Sequence, residues 1–253
     1  MKIKTENSYN SWTGTGFFFQ FQNNYVYLVS NRHVFQDGET INFKTSKIKN
    51  DGISDRDIDS LDHFTIRVND IQKKVIYHPN PEVDLAILPI SHELDFVVDD
   101  YRPVYGCLKE DLIPRPGEIE SYGEVVKIIT SGYPNGYIDE VNNYPITRSG
   151  ISATPPYTRF NGKNEFLIDC AVYNGASGSP VLLNEDFSIK DGKVVFGSEA
   201  LFLGILYAGY LHTFNTTIQL DQIEKPINVS AQTPNNLGII IKSEELLRFK
   251  ELL

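Results

Sequence analysis

Short runs of apolar residues, separated by polar or glycine-bearing breaks, fill most of this chain. Runs of that length, rich in aromatic and β-branched residues, predict strands. Residues 16–22 and 25–29 flank Asn23-Asn24. Asparagine tolerates positive φ, so the pair predicts a tight β-hairpin. Residues 64–68, 74–77 and 85–88 predict further strands. Residues 36–62 are charged and contain Asp51-Gly52, which predicts hairpin loops or an insertion. A second set of strands follows at 125–130, 166–168, 181–183, 194–196 and 202–207, with a loop-rich stretch at 135–147. Pro114-Arg115-Pro116-Gly117 reads as the connection between the two sets. A helical pattern closes the chain at 243–250. Ser243 is placed to cap it, Glu244 and Glu245 suit the positive end of its dipole, and Leu246, Phe249 and Leu253 share a face. No internal repeat interrupts this order.

Composition narrows the picture. A chain of 253 residues with 41% hydrophobic residues can bury a substantial core. Lys plus Arg number 23 against Asp plus Glu 33, a net charge of −10. An acidic surface argues against nucleic acid or an anionic membrane as a general partner. The two cysteines, Cys107 and Cys170, suit a reducing compartment and read as two buried thiols. The charges at the N-terminus are followed by no apolar segment, so no secretory signal is expected. The longest uncharged apolar run, residues 200–211, is too short to span a membrane and reads as a buried strand. A soluble cytoplasmic protein is the expectation.

Candidate chemistry begins at residues 171–180. There Gly175, Ala176, Gly178, Ser179 and Pro180 fence Ser177 with small residues. A hydroxyl so placed meets a reacting carbonyl with little hindrance, and neighbouring N–H groups are free to point at the same oxygen. The plain reading of such a stretch is a tight turn. Acyl transfer also needs a base and an orienting acid. His33 ends the apolar run 25–29, and Asp84 enters the apolar run 85–88. Ser179 is a rival nucleophile two residues on. His78, six residues before Asp84, is a rival base. Asp169 reads as a buried carboxylate that supports the serine loop.

The order His33, Asp84, Ser177, with their flanking residues, resembles the trypsin-like, chymotrypsin-fold serine proteases. Ser30-Asn31-Arg32-His33-Val34 and Asp84-Leu85-Ala86-Ile87-Leu88 look most like the bacterial branch that includes the Deg/HtrA proteases. Residues 14–18, 132–136, 149–153 and 236–240 match the same pattern, so the resemblance runs from about residue 13 to 241. It implies an all-β fold of two six-stranded antiparallel β-barrels, at about 10–112 and 117–241, with a short C-terminal α-helix at about 243–252. The 253 residues hold no peptide-binding extension of the Deg/HtrA kind. It also implies a serine endopeptidase acting on protein or peptide substrates, with no cofactor or metal. His33 would be the general base, Asp84 its orienting partner and Ser177 the nucleophile. The N–H groups of Gly175 and Ser177 would form the oxyanion hole. Ala171, Val172, Tyr173, Tyr207, Ala208 and Gly209 would line the substrate site, and 207–209 would pair with an extended substrate.

Two positions depart from the secreted trypsins. Ala176 stands where they carry an aspartate that pairs with a new N-terminus, so control by a loop, a regulatory partner or the substrate is expected instead. Ala171 puts no carboxylate in the pocket, which disfavours Lys or Arg before the cut bond. The alternative function is a protease fold kept as a binding or regulatory module.

Overall fold

The computed structural model describes residues 1–49, 58–185, 187–190, 193–196, 200–218 and 227–253; Asp51-Gly52 lies outside them. In chain order the first half comprises β1 (Lys2–Glu6), β2 (Ser11–Thr15), β3 (Phe17–Gln20), β4 (Val26–Ser30), the single-turn helix α1 (Arg32–Phe35), β5 (Thr40–Lys49), β6 (Ile58–Asn69), β7 (Ile76–Tyr77), β8 (Ala86–Pro89), β9 (Tyr101–Val104) and β10 (Cys107–Lys109). The second half comprises β11 (Lys127–Gly132), β12 (Ile146–Ser152), β13 (Glu165–Asp169), β14 (Pro180–Leu183), β15 (Phe187–Lys190), β16 (Lys193–Phe196), β17 (Phe202–Ile218) and β18 (Ile227–Lys242). The protein is all-β, as the pattern of apolar runs predicts.

The second half closes a barrel in the order β11-β12-β13-β18-β17-β14. The first half packs two sheets, β2-β1-β5-β6 with β9 on β5, and β10-β3-β4-β8-β7. Here the structure refines the expected closed antiparallel barrel. The two sheets are barrel-like, but among the described residues they do not close into one hydrogen-bonded ring, and β10 runs parallel to β3.

The sheet β10-β3-β4-β8-β7 explains the continuous apolar runs. Successive strand residues point to opposite faces. Phe18, Leu28, Ala86 and Leu88 face the interior of the first half. Phe17, Phe19, Tyr27, Val29, Leu85 and Ile87 face a second cluster that also holds Phe202, Ile205, Ile241, Leu246 and Phe249 from the second half. Both faces are therefore dry. That second cluster is the seam between halves, and Phe17 meets Phe202 edge-on at 5.3 Å. In contrast, β1 alternates buried and less buried positions, because one of its faces meets water.

Several expectations change in detail. The hairpin at Asn23-Asn24 is wider than a two-residue turn: its strands stop at Gln20 and Val26, and Asn24 takes φ +64°. The run 200–211 is buried only from 201 to 206. Beyond it β17 leaves the barrel and, among the described residues, pairs only with β18, out to Ile218 and Ile227. The terminal helix, Ser243–Glu251, has 3-10 hydrogen bonding. Lys242, still extended while it pairs with Gly204, takes the cap position, so Ser243 is the first helical residue and is buried. Leu246 and Phe249 are buried as expected, but Leu253 lies past the helix end and is 48% exposed. Both cysteines are free thiols; Cys170 is buried and Cys107 only half-buried. No helix among the described residues is long and apolar enough to cross a membrane.

Candidate active site

His33 is delivered by a fully buried strand that ends in one helical turn. All five residues of β4 are buried, and Val34 and Phe35 anchor the turn from below. His33, on the outer side of that turn, is left with a half-exposed side chain. Two side chains fix the turn from the amino-terminal strands, since Thr5 Oγ1 and Trp12 Nε1 both donate to Val34 O. Asp84 lies two residues before the neighbouring strand β8, whose Ala86 pairs with Ser30. Asn31 Nδ2 donates to Asp84 O at 2.8 Å.

Adjacent strands thus bring the acid to the histidine. The His33 N–H donates to Asp84 Oδ1 at 3.0 Å, and His33 Nδ1 lies 2.6 Å from Asp84 Oδ2. The two bonds hold the carboxylate in one orientation. His78, the rival base, is buried and turned elsewhere. Its Nδ1 meets Asn80, and its Nε2 lies 3.1 Å from Glu245 Oε2. The hydrogen bond from His78, against an opposing cost of burial, holds the Glu245 carboxyl below its ordinary range.

The serine loop is braced from within and from across the seam. Ala176 N–H donates to Tyr173 O, and Gly178 N–H to Leu206 O. Ser179 is buried, and its hydroxyl is taken up by Ala176 O at 2.6 Å, so the rival serine presents no free hydroxyl. Gly175 at φ +84° and Gly178 at φ +90° occupy left-handed backbone that side chains resist. A Cβ at Gly178 would also collide with Thr15 O, and one at Gly175 with Tyr133 O.

Thr15 was not singled out by its chemistry in the sequence, although it lies in the 14–18 match. Its N–H donates to Ser177 O at 2.8 Å. Its Oγ1 donates to Gly175 O at 2.8 Å and accepts from Tyr133 N–H at 3.1 Å. Its own carbonyl accepts from Ser30 Oγ, three residues before His33. The loop 133–136 is a second support: Asn135 N–H donates to Asn174 O, while Lys2 Nζ donates to Gly136 O.

Ser177 Oγ donates to Tyr207 O at 3.4 Å, and no hydrogen bond joins it to His33 among the described residues. Neither Gly175 N–H nor Ser177 N–H has a hydrogen-bond partner among those residues. The Tyr207 phenol donates to Glu165 Oε1 at 3.0 Å. Burial first, and then that carboxylate, raises its pKa well above the usual tyrosine range.

Ser177 opens onto a cleft of about 450 Å³. Val172, Tyr173, Tyr207, Ala208 and Gly209 line it. Ala171 does not. Val172 packs against the Cα atoms of Gly209 and Gly238 and closes that wall instead. Among the described residues no Asp, Glu, Lys or Arg lines the cleft. Asp169 is exposed at the end of β13, where it pairs by backbone only, and does not brace the serine loop. Among the described residues no group of three or more His, Cys, Asp or Glu could hold a metal ion.

A family model described as the trypsin-like peptidase domain matches residues 14–189. A search of curated proteins finds no match. Among solved structures, the catalytically inactive tobacco etch virus protease complexed with substrate is 12% identical, with a TM-score of 0.49 over 99% of this chain and 82% of that one. The catalytically active form complexed with product is 14% identical, with a TM-score of 0.49 over 99% and 76%. A mutant of human heparin binding protein is 10% identical, with a TM-score of 0.46 over 99% and 88%.

Proposed function

Because this chain belongs to the trypsin-like peptidase domain family, we propose that it is a serine endopeptidase that hydrolyses peptide bonds through an acyl-enzyme. The observation that carries the reading is the paired carboxylate and imidazole, His33 Nδ1 to Asp84 Oδ2 at 2.6 Å, held by a second bond from the His33 backbone. A carboxylate on Nδ1 keeps the proton there, which leaves Nε2 free to act as a base.

Ser177 is the nucleophile. To react, its hydroxyl leaves Tyr207 O for His33 Nε2; hydrogen bonds of this kind commonly tighten only when substrate is bound. His33 takes the proton as Ser177 attacks, and Asp84 stabilises the imidazolium that forms. The proton then passes to the leaving amine. Gly175 and Ser177 N–H groups receive the negative oxygen of the tetrahedral intermediate, and each such donor is worth about 3–4 kcal/mol. Water repeats the sequence on the acyl-enzyme. The substrate lies extended along 207–209, with Tyr207 O as an acceptor for its backbone. An uncharged cleft suits an uncharged, small or medium apolar side chain before the cut bond.

The contact from Ser177 to Tyr207 also leaves open a second reading, a protease fold that binds without cutting. A fluorophosphonate probe separates the two. Labelling is expected on the wild type, absent in Ser177→Ala and strongly reduced in His33→Ala. Turnover of a peptide substrate should fall roughly 10⁴–10⁶-fold in Ser177→Ala, with circular dichroism unchanged. Persistent proteolysis in Ser177→Ala would remove Ser177 from the role, and a wild type that never labels would favour the binding module.

A further inference from the structure

One edge of β17 is occupied in sequence along its length. Up to Ile205 it pairs with β14. At Leu206 it bonds the serine loop, through Gly178 N–H to Leu206 O and Leu206 N–H to Ser179 O. At Tyr207 its carbonyl accepts the Ser177 hydroxyl. From Ala208 to Ile218 no strand among the described residues takes that edge, while β18 holds the opposite one. The open edge therefore starts at the reactive hydroxyl and continues outward along a two-stranded ribbon.

Open edges invite pairing, and proteins commonly guard them with charge, above all lysine. This ribbon carries no such charge, although its register shifts between Leu206 and Ala208 and between Gly209 and Leu211. Neither Phe202–Ile218 nor residues 227–241 contain an Asp, Glu, Lys or Arg, in a chain that carries 23 basic and 33 acidic residues. It instead exposes Tyr210, Leu211 and Phe214, at 40, 55 and 45%. Tyr210 and Leu211 also line the cleft beside Ser177.

We propose that the ribbon edge from Ala208 to about Phe214 is an extended substrate-binding strand, which reads an uncharged, unfolded segment upstream of the cut bond. The inference deepens the peptidase reading of the same site. The substrate runs antiparallel to β17, with its reacting carbonyl at Ser177 and its upstream residues pairing outward by main-chain hydrogen bonds. Tyr210, Leu211 and Phe214 cover its side chains. At about 3.4 Å per residue the edge accommodates several residues beyond the three that face Tyr207 to Gly209. The preferred substrate is then a long, extended, uncharged segment, not a short loop of a folded protein.

Nested peptidyl diphenyl phosphonates ending in an alanine analogue, with four or eight alternating valine and threonine residues before it, test this. The eight-residue probe should inactivate the wild type about tenfold faster, equivalent to about 1.4 kcal/mol. A His212→Asp, Phe214→Asp variant, at exposed positions outside the cleft lining and beyond the reach of the four-residue probe, should erase that advantage and leave the four-residue rate unchanged. N-methylation of the outer backbone amides of the long probe should also erase it. Equal rates for the two lengths in the wild type would overturn the proposal. So would sedimentation showing a dimer that the double variant dissolves, because the edge would then belong to a second copy. If no phosphonate reacts, the peptidase reading fails, and the edge is read separately. Fluorescently labelled peptides of both lengths are then titrated into Ser177→Ala by anisotropy. Tighter binding of the longer peptide, lost in the double variant, supports the edge, and equal binding overturns it.

Discussion

The half that carries His33 and Asp84 and the half that carries Ser177 hold their residues in different ways. His33 follows and Asp84 precedes two strands that are neighbours in one sheet, and they are joined to each other by two direct hydrogen bonds. That pair is fixed within its own half. Ser177 sits in a glycine-bearing loop whose carbonyls reach across the seam to Thr15. Its position depends on how the halves meet. The proposed base and its acid are therefore locally set, while the proposed nucleophile is set by docking.

The largest expected effect breaks the local lock. Asp84→Asn keeps the shape but offers Nδ1 the wrong partner, so turnover should fall by roughly 10⁴-fold at neutral pH. Steady-state kinetics checks the fall, and an unchanged thermal midpoint shows that the fold survives. A fall of only a few-fold would mean that the 2.6 Å pair is structural.

A smaller effect should follow from loosening the docking. Thr15→Val removes the donor to Gly175 O and the acceptor for Tyr133 N–H, yet keeps the backbone bond to Ser177 O. Leaving buried polar groups unpaired should cost about 1–3 kcal/mol in chemical denaturation. Displacement of the serine loop should lower kcat/KM by roughly 10²-fold. The Nδ1 proton resonance of His33 should stay where it is, since its lock lies within the other half. Movement of that resonance would show that the two halves are not independent in this respect.

The smallest effect lies on the far side of the seam, where His78 meets Glu245 of the terminal helix. The Glu245 pKa is lowered in the folded state, so the contact adds stability above the carboxyl's ordinary pKa. That stability is lost as pH falls through the lowered value. The partly exposed carboxyl is screened by water, so about 0.5–1 kcal/mol is expected. Urea denaturation of the wild type and Glu245→Gln between neutral and acidic pH should show a gap that closes with acid. A gap that persists below that window would assign the effect to the hydrogen bond from Asn164 Nδ2 to Glu245 Oε1.

Much of this could be read along the chain, because it depends on short range. The doubly buried strands β3, β4 and β8 announce themselves as unbroken apolar runs, since neither face meets water. The glycines beside Ser177 announce a turn that needs positive φ. Misreadings share one cause. Asp169 looks buried because its neighbours are, but at the end of a strand it faces outward. Ala171 looks like pocket lining by its place in the loop, but Val172 packs on Gly209 and Gly238 and takes that wall. The run 200–211 looks buried throughout, but the barrel ends partway along it.

The sequence by itself determined the all-β class and the apolar runs that form its strands, and it supplied the three side chains proposed for acyl transfer. Periodicity, turn chemistry and residue type act over a few residues, so they survive in a linear text. Only the tertiary structure decided that Thr15 clamps the serine loop from 160 residues away, that the serine hydroxyl lies on Tyr207, and that β17 carries an open, uncharged edge away from it. Such contacts join groups whose separation along the chain carries no signal, and they exist only once two hydrophobic faces have closed on each other.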